Sequence, residues 1–409
     1  MVTRPIFAAM LAATMVAVAT GADAAEATWL RTAFSSMPAT AFGDFDGSPF
    51  LASAVGLSEA RALGLRDHDT KPLDLQQRIT AGKDNIRPLE AWSFRRDAAL
   101  FEDRLGVPLD RLTALAGYRN LPNDTTLWIF DSDATVDAVL DGLPTRGFSP
   151  LAGGMLTNGE PSGQDMDARA LGDPWRGGRV WASVVGLEGR ILLQAWEPDL
   201  VEAARQATPT SNLATVPFVN TVLTGAEVAT GDGTKIVQAL LATPAIGLGS
   251  GVPVELLTPK GAGPQAVEEI RQKMEEKAAQ ERATGLPPYP VALLADIEAP
   301  GKSRGILVAF AYPDCGMAET GAARFAAGWR TAELQARGHG TTLEDVTQAD
   351  IASRVVPAAD GSCAAVVAAT NPVPADSTSF ENKPWAAVIR AIDQRDFGAA
   401  MIAPANPDQ

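Results

Sequence analysis

Cys315 and Cys363 are the only two cysteines in this chain of 409 residues. Such a pair can form a disulfide, or one thiol can act as a nucleophile if a neighbouring cation stabilises its thiolate. Cys315 lies in "YPDCGMAE", where the charged neighbours are acids, which disfavours a nucleophilic role. The even cysteine count therefore favours a structural disulfide between Cys315 and Cys363 in an oxidising compartment.

Histidine is equally scarce, with only His68 in "RDHDTK" and His339 in "RGHGTT". Two histidines cannot make a three-histidine metal site, and the chain has no H-E-x-x-H or paired C-x-x-C motif. It also lacks the G-x-S-x-G turn that would supply a nucleophilic serine. Both histidines are predicted to lie in solvated loops, and no metal ligand is predicted.

Carboxylates and glycines give no clearer chemistry. The segments "DFDGSP" and "DSDATVD" space their acids as calcium loops do, but neither continues to the glycine and glutamate of an EF-hand. The glycine-rich segments lack the phosphate-binding patterns G-x-x-x-x-G-K-[ST] and G-x-G-x-x-G, so we predict no cofactor. Two acids from distant parts of the chain can still converge, which leaves a carboxylate-dependent hydrolase open as an alternative.

The segment "DPWRGGRVW" is the one candidate binding cluster, with Trp175, Arg176, Arg179 and Trp181 close together in an acidic protein. Aromatic faces and guanidinium groups together can bind an anionic or carbohydrate ligand. The competing interpretation places Trp181 inward on its strand and the arginines at the rim.

The N-terminus and the charge predict where the protein acts. Residues 1–24 resemble a cleaved signal peptide, with Arg4 before an apolar run and small residues before the predicted cleavage site. We therefore expect a periplasmic or secreted bacterial protein with no stable membrane anchor. The net charge of −15 disfavours nucleic acid and anionic membranes as partners.

The hydrophobic pattern predicts an α+β fold built from two split βαβ, ferredoxin-like units. Residues 125–207 and residues 304–394 both read as strand, helix, two hairpin strands and helix. The second unit has an additional strand before it, "VALLADIE", where the first has a helical lead-in, "RDAALFEDRLGVPLDRLTALAGY". In such a unit the first and third strands are antiparallel neighbours, which would bring Cys315 and Cys363 together.

The predicted division of the chain is a signal peptide (residues 1–24), an N-terminal α+β domain (25–215), a helical connecting segment (216–286) and a C-terminal α+β domain (287–409). With no catalytic motif, we expect a non-catalytic protein that binds a partner protein or a small ligand. A secreted hydrolase with convergent carboxylates and an envelope assembly factor or chaperone are the alternatives.

Overall fold

The computed structural model describes residues 28–42, 50–65, 78–82, 85–89, 98–120, 123–165, 167, 172–176, 181–230, 233–243, 285–332, 334, 340–374 and 379–393. Several sequence predictions fall outside these residues: the signal peptide, both histidines, the acids of "DFDGSP" and Arg179.

All the described strands belong to one antiparallel sheet. The strands are β1 (Phe50–Gly56), β2 (Leu112–Asn120), β3 (Asn123–Phe130), β4 (Ser149–Leu151), β5 (Met155–Thr157), β6 (Val184–Glu188), β7 (Ile191–Ala195), β8 (Lys235–Ala242), β9 (Ala292–Ala299), β10 (Ser303–Tyr312), β11 (Asp350–Pro357) and β12 (Cys363–Pro372). Their order across the sheet is β11-β12-β10-β9-β8-β1-β2-β3-β7-β6-β5-β4. The pairing of β1 with β8 joins the two halves of the chain into a continuous sheet.

Helices cover both faces of this sheet. They are α1 (Trp29–Ser35), α2 (Leu57–Ala62), α3 (Ala98–Leu105), α4 (Asp133–Gly142), α5 (Pro198–Ala204), α6 (Pro217–Ala229), α7 (Cys315–Thr331), α8 (Leu343–Thr347) and α9 (Lys383–Asp393), with short 3-10 helices at Ala39–Phe42, Leu109–Arg111, Pro144–Arg146, Ala152–Gly154 and Leu213–Thr215. Helices α1, α5 and α6 pack on one face, which we call the α6 face. The other six pack on the opposite face, the α7 face.

The two halves share one strand order. Strands β1, β2, β3, β7 and β6 are neighbours in that order, and β8, β9, β10, β12 and β11 repeat it. The α+β class is therefore confirmed. The ferredoxin-like arrangement of the helices is not: α7 and α9 lie on the same face of the sheet, whereas α4 and α5 lie on opposite faces.

The predicted helical lead-in to the first unit is wrong over its second part. Residues 98–105 are helical, but residues 112–120 form β2, which pairs with β3 along its whole length. The predicted strand "VALLADIE" is confirmed as β9. The halves are thus more alike than the sequence indicated, since each has a strand before its β-α-β-β-α unit. The predicted connecting segment contributes both α6 and strand β8.

The core is continuous on one face and divided on the other. On the α6 face, a single apolar cluster extends from Leu30 to Val366 and spans both halves. On the α7 face the described residues form two apolar clusters, one centred on each half. The crossing segment (residues 78–82 and 85–89) contributes to both, with Ala81 in the second-half cluster and Ile86 in the first-half cluster.

Candidate functional site

The disulfide between Cys315 and Cys363 is confirmed, with their Cα atoms 5.0 Å apart. Cys315 begins α7 directly after β10, and Cys363 begins β12, which pairs with β10 so that Tyr312 lies opposite Cys363. The strand adjacency that the sequence predicted is therefore the cause of the bridge. Both sulfurs are consumed in it, so neither cysteine is a nucleophile.

Of the predicted tryptophan–arginine cluster, the structure describes Trp175, Arg176 and Trp181, and Trp175 lies in the interior. Trp175 is buried, stacks on Trp128 at 5.0 Å between ring centroids, and donates a 2.8 Å hydrogen bond from Nε1 to the carbonyl of Arg104. Trp181 is half-buried and lies 5.5 Å from the ring of Trp196. Trp175 therefore belongs to the core of the first half.

Of the two arginines in that cluster, the structure describes only Arg176. Arg176 donates from its guanidinium to the carbonyl of Asn158, which holds it against the protein surface. Arg179 lies outside the described residues. Anion binding at these two arginines therefore stays a prediction, while the contact between Trp181 and Trp196 was missed because the β6–β7 hairpin separates the two residues in sequence.

A buried ionic network connects the crossing segment to the second half of the sheet. Arg78 contacts both carboxylate oxygens of Asp296, at 3.0 and 2.7 Å, and also pairs with Glu298. Arg304 donates to the other oxygen of Glu298 at 3.1 Å. Burial lowers the pKa of Arg78, but Asp296 and Glu298 outweigh burial, so its pKa is raised. Two cations thus neutralise two anions.

Amide side chains complete the hydrogen bonding of Asp296. Gln238 donates to one carboxylate oxygen at 2.9 Å, and Asn382 donates to the other at 2.6 Å. With the two bonds from Arg78, each oxygen of Asp296 accepts twice. Such a carboxylate has no lone pair left for general-base or nucleophilic work, so its role is structural.

The same network fixes the backbone of the crossing segment. The side-chain oxygen of Gln238 accepts from the backbone N–H groups of Thr80 and Ala81 at 2.9 and 2.8 Å. At the other end, Asn85 donates to the carbonyl of Gly117 at 3.0 Å. A Cβ on Gly117 would come within 2.6 Å of the Asn85 carbonyl, so glycine is required there for the close approach of the two backbones.

A cleft of about 310 Å³ opens on the α6 face of the second half. Residues of α6 and four strands contribute most of its lining, and seven of the thirteen are apolar: Ala229, Thr234, Ile297, Ala299, Ser303, Arg304, Leu307, Ala352, Ser353, Arg354, Val366, Ala368 and Thr370. Among these described lining residues there is no carboxylate. The guanidinium of Arg304 is paired with Glu298, so Arg354 is the lining cation at the sheet edge.

Strand β11 forms one border of the cleft and is also the outermost strand of the sheet. Asp350, Ala352, Ser353 and Arg354 are exposed, and within the described residues no strand pairs with the outer side of β11. The opposite edge is β4, which has only three residues with a proline in the middle. Short strands and prolines discourage edge pairing, so β4 is protected, whereas the eight-residue β11 has a long outer side that no described strand covers.

The hairpin that follows β11 shows which of its backbone groups point outward. The N–H of Ala358 donates to the carbonyl of Ser362 at 2.8 Å, so this pair is hydrogen-bonded across the hairpin. Hydrogen-bonded and non-hydrogen-bonded pairs alternate along antiparallel strands. The even-numbered residues of β11 therefore bond to β12, and Ile351, Ser353 and Val355 direct their N–H and C=O groups away from the sheet. Pro357, which has no N–H, falls in the outward set as expected.

Other classes of site find no support in the described part of the chain. No group of three or more His, Cys, Asp or Glu side chains there could hold a metal ion. No described helix combines the length and apolar character needed to cross a bilayer. No protein-family model matches the sequence, and comparison with curated proteins and with solved structures found no significant similarity.

Proposed function

We propose that the chain is an exported, non-catalytic binding protein that takes an extended segment of a partner protein onto the outer edge of β11. The observation that carries this proposal is the eight-residue edge strand, on whose outer side no strand of the described residues pairs. The disulfide supports export, because such bonds persist in oxidising compartments.

Strand addition uses main-chain hydrogen bonds for affinity and side-chain pockets for specificity. The outward N–H and C=O groups of Ile351, Ser353 and Val355 can supply the hydrogen bonds. The cleft adjoins β11 on the α6 face, so a long apolar side chain of the added strand can reach over β11 into it. Arg354 at its border favours an acidic group beside that apolar side chain.

The acids of β9 give the hydrolase alternative no support. Asp296 and Glu298 lie two residues apart on this strand, and both are buried and paired with arginine. A glycosidase needs two carboxyl groups that can reach the substrate. The lining of the cleft contains none among the described residues.

Two N-methylated peptides test strand addition without altering the protein. The probe is a labelled, capped peptide with the sequence of residues 349–358, whose binding to the purified chain is followed by fluorescence anisotropy. One peptide is methylated on the alternate backbone nitrogens whose N–H groups face β11, and the other on the nitrogens whose N–H groups face away. We expect the first peptide to lose binding at least tenfold and the second to keep it. Equal binding by both peptides, or none by the unmethylated peptide, would refute strand addition.

A small ligand in the cleft is the second candidate, and the volume of the cleft favours it, since ligand sites begin at roughly 300 Å³. The presence of Arg354 and the absence of a lining carboxylate among the described residues would suit an apolar carboxylate. Octanoate is a suitable probe, measured by calorimetry against octylamine as the matched cation. Ala368→Trp should block octanoate while leaving the peptide bound to β11, which separates the two candidates.

A further inference from the structure

We infer that the segment added to β11 is β11 of a second copy of this chain, so that two sheets join antiparallel about a two-fold axis at Ser353. This inference rests on the proposed strand addition and names its partner. The reason for a second copy is that the edge is complementary to itself, both in its hydrogen-bonding groups and in its side chains.

The hydrogen-bonding pattern restricts the possible registers. Only the outward residues Ile351, Ser353 and Val355 can form hydrogen-bonded pairs with the second copy. An axis at Ser353 pairs Ser353 with itself and Ile351 with Val355 twice, so all three outward residues are used in both copies. An axis at Ala352 pairs Ile351 with Ser353 twice and leaves Val355 opposite Ala349, outside the strand. The axis at Ser353 therefore gives more main-chain bonds.

Side chains support the same register. On the α7 face, Ile351 and Val355 are half-buried and pack against the apolar cluster of the second half, so their cross-strand pairing extends that cluster over the junction. On the α6 face, Asp350 of one copy lies diagonal to Arg354 of the other, within reach of the long arginine side chain. An axis at Ala352 would place these two charges directly opposite, but exposed ion pairs contribute little. The additional hydrogen bonds and apolar contacts decide for Ser353.

Net charge sets how strong this association can be. Each copy carries a charge of −15, and the repulsion between copies is screened as salt shortens the Debye length from roughly 30 Å at 0.01 M to about 8 Å at 0.15 M. A junction of one strand pair also buries less surface than a standard interface. We therefore expect a weak dimer that strengthens when salt is raised over this range.

Single cysteine substitutions test the register directly. Ser353→Cys places two thiols on the axis, in a hydrogen-bonded pair with Cα atoms about 5.5 Å apart, within the range that a disulfide bridges. Ala352→Cys is the matched control. With the axis at Ser353, residue 352 of one copy lies opposite Arg354 of the other, so the two introduced thiols are offset by two residues along the strands. Under mild oxidation of the full chain, the Ser353→Cys variant should cross-link at least tenfold faster than the Ala352→Cys variant, with the linked peptides identified by mass spectrometry. Faster cross-linking of the Ala352→Cys variant, or equal rates for both variants, would overturn the register.

Sedimentation of the unmodified protein tests the dimer itself. We expect a monomer–dimer equilibrium that Ser353→Pro abolishes, because proline removes an outward N–H that β12 does not use. Circular dichroism and the urea midpoint establish that this variant is folded. A protein that stays monomeric up to high micromolar concentration, while the 349–358 peptide binds, would overturn the second copy and leave strand addition standing. If the unmodified protein neither dimerises nor binds the 349–358 peptide, the proposed function is overturned as well.

Discussion

Arg78 offers the sharpest test of what holds the two halves together. Its side chain is 1% exposed and contacts two carboxylates, Asp296 at 2.7 Å and Glu298. Replacing it with methionine keeps a similar unbranched stem but removes the cation. Asp296 would then be a buried charge held only by neutral amides. Breaking a buried ion pair by removing one member typically costs about 3–5 kcal/mol.

An exposed pair of nearly the same geometry supplies the control. Arg111 contacts Asp131 at 2.9 Å, but the Arg111 side chain is 56% exposed. Solvent screens this pair, and exposed pairs contribute roughly 0–1 kcal/mol. Arg111→Met should therefore have a small effect, although the contact distance differs by only 0.2 Å from that of Arg78 to Asp296. Burial, rather than distance, is expected to decide the difference.

Urea unfolding followed by tryptophan fluorescence measures both effects. The total free energy of unfolding of an ordinary protein is about 5–15 kcal/mol. The loss expected for Arg78→Met is a large part of that total, so the urea midpoint should fall strongly. Adding Asp296→Asn should recover part of the loss, because the double variant no longer buries that unpaired charge. If Arg78→Met costs no more than Arg111→Met, or if Asp296→Asn adds its full cost to Arg78→Met, the account of the network is wrong.

Three further predictions concern single features. Replacing both cysteines by alanine should lower the free energy of unfolding by about 4 kcal/mol, the chain-entropy value for a separation of 48 residues, and thiol counting on denatured, unreduced wild-type protein should find no alkylatable thiol. Hydrogen bonds from Thr135 and Arg111 lower the pKa of Asp131 to about 2, so the stability that this carboxylate contributes is present above pH 4 and is lost as pH falls towards 2. Its carboxyl resonance should titrate near pH 2, and Thr135→Ala should move that midpoint upward. Trp175→Ala should destabilise the protein by about 3–5 kcal/mol, because Trp175 is buried in the core. Arg176→Ala combined with Arg179→Ala should leave the melting temperature nearly unchanged and, if these arginines bind an anionic partner, abolish that binding. A large loss of stability in the arginine variant would instead show that the two arginines stabilise the fold.

The sequence was most informative where local pattern and strand adjacency act together. Between β11 and β12 the sequence has Asp360-Gly361, a dipeptide that favours a hairpin turn, and the two strands pair as a hairpin. The disulfide follows from placing Cys315 after one strand and Cys363 at the start of its neighbour. Strand β2 was misread because "RLTALAGY" is a short apolar run, and such runs fit helix and strand alike. What makes it a strand is its position between β1 and β3, which only the assembled sheet determines.

The buried network could not be predicted because its members are far apart in sequence. Arg78 and Asp296 are separated by 218 residues, and no short motif contains both. One signal was nevertheless present: Asp296 and Glu298 lie two residues apart in an otherwise apolar strand, so they project to the same face of the sheet. Two acids facing a covered surface require a cation, but the sequence did not indicate which arginine would supply it.

The crossing segment also has a consequence for the order of assembly. Because the chain is synthesised from its N-terminus, Arg78 is made long before Asp296 and Glu298, and β1 is made before β8 can cover its edge. Until β8 arrives, β1 can pair with the wrong neighbour, and until Asp296 and Glu298 arrive, Arg78 lacks the carboxylates that neutralise it. Folding that waits for the complete chain, as translocation in an unfolded state would enforce, avoids both hazards.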